Sequence, residues 1–189
     1  PYIEKDGGYS TGRYWRSIGG SLYDFYDYHY LGVNANSGLP MYTVDEENYD
    51  PESFAKVAGL EYGQLEDGTY WVSETGYASQ QVLGKSAIPD VYGGISTSLE
   101  AYGFDLSIQT ALQIGGYVYD SNYASLMDCS EYGTNWHKDI FKRWTPTNTT
   151  TNVPKVVQGK QTIAESSDRW LTSASYFSLR NITLGYTFP

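Results

Sequence analysis

One cysteine, two histidines and only 12 basic residues against 22 acidic ones leave this chain of 189 residues short of several kinds of chemistry. A single thiol, Cys129, cannot close an internal disulfide. With no histidine patterned to pair with it, it reads as a tolerated or buried cysteine rather than a nucleophile. A net charge of −10 without any basic stripe excludes a surface built for phosphates, so no nucleic acid partner is expected. No apolar run approaches eighteen residues, which excludes a membrane-crossing helix. Mean hydropathy is −0.47; a membrane β-barrel remains open, because half of each barrel strand faces a polar lumen. No signal peptide is expected within this stretch. The opening Pro1-Tyr2-Ile3-Glu4 is what a segment of a longer precursor would show.

What the chain has in abundance is 20 tyrosines, 5 tryptophans and 20 glycines. Tyr and Trp favour membrane–water interfaces, where the ring is buried and the polar atom stays wet. The same mixture would suit a soluble Tyr-rich β-sandwich or glycan-binding module, so the order of residues has to separate the two. Between 95 and 100, Ile95, Thr97 and Leu99 alternate with Ser96, Ser98 and Glu100. After a turn at Ala101-Tyr102-Gly103, Phe104, Leu106, Ile108, Thr110, Leu112 and Ile114 alternate with Asp105, Ser107, Gln109, Ala111 and Gln113. Period two places successive side chains on opposite faces of a strand. A ten-residue strand with one apolar face is long for a soluble sheet and is the length a tilted barrel strand needs to cross a bilayer, roughly nine to eleven residues.

The rest of the chain is organised around this hairpin. Residues 18–28 read as an aromatic strand, and the turn formers from Gly32 to Gly38 reverse the chain after it. Residues 44–68 are acidic and irregular, with one helical turn expected near 51–57. Residues 69–73 read as a short strand and 79–90 as a loop. A long excursion over 117–175 holds Trp136, Trp144 and Trp170. A last strand, ending at Pro189, has Ile182, Leu184, Tyr186 and Phe188 on one face, while Phe177 and Leu179 have the opposite parity. A bulge near Arg180-Asn181 would reconcile them. A tight turn at one end and a long excursion at the other is the asymmetry of an outer-membrane barrel, with 101–103 and Pro189 periplasmic and 117–175 outside.

Six segments, in order, resemble the C-terminal barrel portion of SusC-like TonB-dependent outer-membrane transporters. They are Ile88-Pro89-Asp90-Val91-Tyr92-Gly93-Gly94; Tyr102-Gly103-Phe104-Asp105-Leu106; Gly115-Gly116-Tyr117-Val118-Tyr119-Asp120; Arg143-Trp144-Thr145-Pro146-Thr147-Asn148; Ser167-Asp168-Arg169-Trp170-Leu171; and the run from Ser175 to Tyr186. A degraded match lies between Gly32-Val33-Asn34 and Gly38-Leu39-Pro40. The resemblance implies an all-β fold, part of a large antiparallel transmembrane β-barrel that is 22-stranded in the family and carries long extracellular loops. It further implies import of glycans or oligopeptides across the bacterial outer membrane with a SusD-like surface lipoprotein, driven through TonB. Residues 1–189 are then expected to be a partial barrel, with the plug domain, the TonB box and the final strands lying on the rest of the same chain or on a companion. Outer-membrane lipid would cover the apolar face.

No enzyme is expected. Val82-Leu83-Gly84-Lys85-Ser86 mimics the end of a phosphate loop, but Ser79 stands where the first glycine is required and Ala87-Ile88-Pro89 replaces the helix. His29 and His137 lie in unrelated contexts. The acidic runs Asp45-Glu46-Glu47 and Glu66-Asp67 read as solvated loop charge rather than a glycosidase pair, and Asp45, Glu47 and Asn48 match no calcium loop. No cofactor and no metal are expected. What remains is recognition: Tyr70, Trp71, Tyr77, Tyr132 and Trp136 lie in segments expected outside the membrane, where their faces could stack on sugars or pack on peptide side chains. Trp144 and Trp170 read as structural. The readings in competition with the importer are a soluble β-rich glycan-binding module and an outer-membrane assembly or adhesion protein.

Overall fold

The computed structural model describes residues 7–131, 133–160 and 162–188, so Tyr132 and Pro189 lie outside it. Strands β1 (Tyr9–Thr11), β2 (Tyr14–Arg16), β3 (Asp24–Tyr28), β4 (Tyr30–Val33), β5 (Pro40–Val44), β6 (Tyr62–Gln64), β7 (Tyr70–Val72) and β8 (Gln80–Ser86) form two four-stranded sheets. The first has the order β1-β2-β3-β8 and the second β4-β5-β7-β6. In β3, Phe25 and Asp27 are buried while Asp24, Tyr26 and Tyr28 stay half-exposed, a period-two pattern. In β5, Pro40, Tyr42 and Val44 turn inward. The reversal expected at 32–38 joins β4 to β5, closed by Gly38 N–H donating to the Asn34 carbonyl. The helical turn expected near 51–57 is α1 (Pro51–Phe54), started by Pro51 and capped by the Asp50 carboxylate, which accepts from the N–H groups of Glu52 and Ser53. Beneath the second sheet, Val44, Phe54, Leu60 and Val72 make a small core.

Two expectations need correcting here. The strand read over 18–28 starts only at Asp24, because 18–20 and 22–23 turn. The loop read over 79–90 contains β8, which earns no apolar alternation of its own and is a strand because it pairs antiparallel with β3, Tyr26 against Val82 and Tyr28 against Gln80.

The long strands follow. β9 (Val91–Ala101) and β10 (Phe104–Ile114) pair antiparallel in continuous register from Ala101 against Phe104 to Val91 against Ile114. Their turn is two residues, Tyr102 and Gly103, at φ of 53° and 83°. Positive φ at both central positions is the type I′ geometry whose twist matches a hairpin. The chain then rises through β11 (Tyr117–Tyr119), α2 (Ser121–Leu126) and β12 (Leu171–Ser173) before descending as β13 (Tyr176–Tyr186) on the other side of β10. The three eleven-residue strands are thus a meander with β10 in the centre.

Paired residues share a face. On one face stand Val91, Ile95 and Leu99 of β9; Phe104, Leu106, Ile108, Leu112 and Ile114 of β10; and Tyr186, Leu184 and Ile182 of β13. On the other stand Ser96, Ser98 and Glu100; Asp105, Ser107, Gln109 and Gln113; and Asn181 and Thr183. The bulge expected near Arg180-Asn181 is present: Gln109 pairs with Asn181 but Thr110 pairs with Leu179, leaving Arg180 as the extra residue. Its effect is to return Leu179 and Phe177 to the apolar face, opposite Thr110 and Leu112. At about 3.3 Å per residue and a tilt near 40°, eleven residues cover roughly 25 Å of height, the thickness of a barrel's apolar band.

The excursion over 117–175 is a folded unit rather than an open loop. Ala124, Met127, Cys129, Ile140, Val153, Ile163 and Trp170 form its core. It grows directly from the long strands: above the Gln113–Tyr176 pair, Ala174 N–H donates to the Gly116 carbonyl, and β11 pairs with β12 from Tyr117–Ser173 to Tyr119–Leu171. Among the described residues no helix is long and apolar enough to cross a membrane.

Candidate functional site

Residues of the motif segments make contacts far along the chain, and these tie the upper part of the molecule together. Trp144 lies flat against Gly38, so close that a Cβ there would enter its ring, and its indole N–H donates to the Ala35 carbonyl at 2.9 Å. Asp168 accepts from His29 Nδ1 at 2.7 Å and from the Tyr30 backbone N–H at 2.9 Å, with Lys85 Nζ 3.7 Å away. The lysine of the phosphate-loop lookalike is therefore an ion-pair partner on a strand. Ser166 and Arg13 both hydrogen-bond the buried Asp27, and the Arg13 guanidinium sits 3.7 Å over the Tyr119 ring. Trp170 is 1% exposed and donates to the Glu165 carbonyl. Trp144 and Trp170 are structural, as their place in the motifs suggested.

Burial sets the titration of this region. It pushes the Glu165 carboxyl up, against the opposing pull of the Thr75 N–H. It pushes the Tyr30 phenol up to about 12, and lowers the Arg169 guanidinium, which lies over the rings of Tyr30 and Trp170. Cys129 is buried and its thiol is raised by that burial, the opposite of an activated nucleophile. Among the described residues no group of three or more His, Cys, Asp or Glu is placed to hold a metal ion.

The aromatic residues singled out for recognition divide. Trp71 is only 9% exposed, packed against Gly63 of the paired strand, and offers no free face. Tyr70 stacks on Tyr49 with ring centroids 4.2 Å apart and braces the second sheet. Tyr132 lies outside the described residues. Tyr77 and Trp136 stay open, at 39% and 42% exposure, and each lines a cleft.

The Trp136 cleft, about 490 Å³, is mainly apolar and is walled by Ile140, Phe141 and Val156, with His137 and Arg143 also on its lining. The Tyr77 cleft, about 460 Å³, is mainly polar and takes in Tyr26 and Tyr28 from β3, Gln80 from β8, and Asp45 and Asn48 from the short helix 46–48 and the residue before it. Period two explains why Tyr26 and Tyr28 arrive together, on the half-exposed face of their strand. The sequence does not mark Tyr26, Tyr28 or Asp45 as site residues; the alternation at 24–28 is the signal for the two tyrosines, and Asp45 has none.

No family model matches the chain. It is 28% identical over 174 residues to the TonB-dependent receptor P3 of Formosa agariphila, an alignment that covers 90% of this chain and 16% of that receptor. It superposes on the RagAB peptide importer in its closed-closed state with a TM-score of 0.74, at 22% identity, over 98% of this chain and 19% of that one. A second structure, of the RagAB peptide transporter, gives a TM-score of 0.74 at 22% identity over 97% of this chain and 18% of that one. The chain thus spans under a fifth of the length of the proteins it matches. The resemblance to a SusC-like TonB-dependent barrel, the all-β fold and the outer-membrane setting all stand on these likenesses.

Proposed function

We propose that this chain supplies part of the wall and the cell-surface loops of a TonB-dependent outer-membrane importer of oligosaccharides or oligopeptides. It would act by transport rather than catalysis, with a SusD-like surface lipoprotein as partner and with the plug and remaining strands on the rest of the protein. The observation that carries the reading is the meander β9-β10-β13. Its apolar face is open on both outer strands, with Leu184 at 70%, Phe177 at 69% and Ile95 at 61%, and Leu106, Ile108 and Leu112 of the central strand lie half-buried between them. Such a face is a liability in water and the expected surface in lipid. A soluble glycan-binding module has no use for it, which ranks that reading below the importer. The turn at Tyr102 and Gly103 would face the periplasm and the unit over 117–175 the cell surface.

The test is uptake by cells producing the full-length protein. Deleting its gene should abolish TonB-dependent accumulation of at least one oligosaccharide or oligopeptide supplied in the medium. Recovery of the full-length protein from the soluble fraction, or unchanged uptake of every such compound in the deletion strain, would overturn the reading.

A further inference from the structure

Asp45 occupies the first position of a helical turn yet its carboxylate makes no capping bond, unlike those of Asp50 and Asp120, which cap theirs. No ion pair among the described residues engages Asp45, Glu46 or Glu47. The Asp45 backbone is instead held from behind: the buried Ser79 hydroxyl accepts from its N–H at 2.9 Å and from Asn48 Nδ2 at 3.2 Å. This fixes Asp45 and Asn48 at one edge of the Tyr77 cleft.

The cleft's aromatic walls are braced too. Tyr26 packs on Trp15 with centroids 4.9 Å apart, and Tyr77 meets Phe54 edge-on at 5.9 Å. Rings held from one side lose little freedom when a ligand arrives on the other, so the site is preorganised. Its chemistry is three phenols, two primary amides and one carboxylate, with no cation in its lining. Amides and phenols both donate and accept, a carboxylate accepts from two hydroxyls at once, and tyrosine faces cover C–H surface. Vicinal hydroxyls over a patch of C–H bonds are the signature of a sugar ring. The carboxylates of Asp45, Glu46 and Glu47 would repel a uronate or a sulfate ester.

We infer that this cleft is a binding subsite for an uncharged saccharide unit, with Asp45, Asn48 and Gln80 on the hydroxyls and Tyr26 and Tyr77 on the ring, and that it rejects acidic sugars. The inference rests on the importer reading, because it assigns the cleft to the cargo of that importer. The apolar Trp136 cleft lacks this chemistry.

The experiment is titration calorimetry of the full-length receptor in detergent against neutral hexasaccharides of glucose, mannose, galactose and xylose. An oligogalacturonate of equal length and a lysine-rich peptide serve as controls. At least one neutral oligosaccharide should bind and the oligogalacturonate should not. Asp45→Asn, isosteric and exposed, and Tyr77→Ala should each weaken that binding about tenfold, the scale of one charge-assisted hydrogen bond. Binding of the oligogalacturonate or the peptide in preference to every neutral sugar overturns the inference, as does binding that neither substitution alters. Either failure with TonB-dependent uptake intact faults the cleft alone, whereas loss of that uptake requirement faults the importer reading.

Discussion

The carboxylate of Asp90 fills the space that a side chain on Gly115 would take, and the Asp90 N–H donates to the carbonyl of Ile114 at 3.0 Å. Two segments of the sequence resemblance, Ile88-Pro89-Asp90 and Gly115-Gly116, are thus two halves of one joint. Both glycines sit in the left-handed region, at φ of 77° and 76°, where β10 ends and the ladder turns into β11. Below the joint lie the long strands; above it lies the folded unit. With no side chain on either glycine, the irregular segment 87–90 that leads into β9 packs directly against the kink, Ala87 and Pro89 lying against Gly116.

Gly115→Ala is expected to destabilise the full-length protein by about 1–2 kcal/mol from the left-handed backbone alone, with a further loss from displacing Asp90. Denaturant unfolding in detergent measures this. A substitution that costs nothing would mean that the Asp90–Gly115 packing is absent in the assembled barrel.

Lipid and lumen should be told apart by a pair of neighbours. Ile108 lies near the middle of β10 on the apolar face, flanked by Thr97 and Ile182, and Gln109 lies on the polar face between Ser96 and Asn181. Ile108→Lys should cost about 2–4 kcal/mol near the bilayer midplane, while Gln109→Lys should be close to neutral. Heat-resistant migration of the folded barrel on gels reads both. Equal tolerance would contradict the assignment of faces.

The pH dependence of stability should carry the mark of Glu165. Burial raises its carboxyl above the ordinary range, so the folded protein holds that proton more tightly than the unfolded chain. The associated stabilisation is complete below the unfolded value, about pH 4, and is lost as pH rises through the folded one. Glu165→Gln keeps an acceptor for the Thr75 N–H without the buried charge. It should therefore melt higher than the parent at pH 7–8, with the gap closing below about pH 4. A gap that is the same at both ends would trace to packing and not to ionisation.

How much of this was legible follows from period. The alternation from Phe104 to Ile114 runs for eleven residues, long enough to specify strand, face and length together. The seven residues of β8 carry no such run, and their strand character comes from β3 beside them. The core of the upper unit draws on Ala124, Ile140, Val153 and Trp170, residues with no common period that meet only after the chain has folded. The same limit governs the site. In a three-residue strand such as β7 a tyrosine or tryptophan gives no sign of which way it points, so Trp71, read as a contact residue, is buried against Gly63. Tyr77 was found, but its partners Tyr26, Tyr28 and Asp45 come from segments that only the paired sheets bring together.

The bulge at Arg180 yields a test by deletion. Without Arg180 the order becomes Phe177, Ser178, Leu179, Asn181, Ile182, which alternates without interruption and keeps every pair with β10, including Leu179 against Thr110 and Asn181 against Gln109. Removing Ser178 instead keeps the bulge but moves Phe177 to the polar face and slips the residues above it by one, since a one-residue shift reverses every side chain beyond it. Deletion of Arg180 should therefore leave assembly of the full-length barrel near the parent level, judged by its heat-resistant gel mobility. Deletion of Ser178 should abolish it. If the two deletions assemble equally well, the apolar face does not depend on the bulge, and Phe177 and Leu179 must be satisfied by contacts above the membrane.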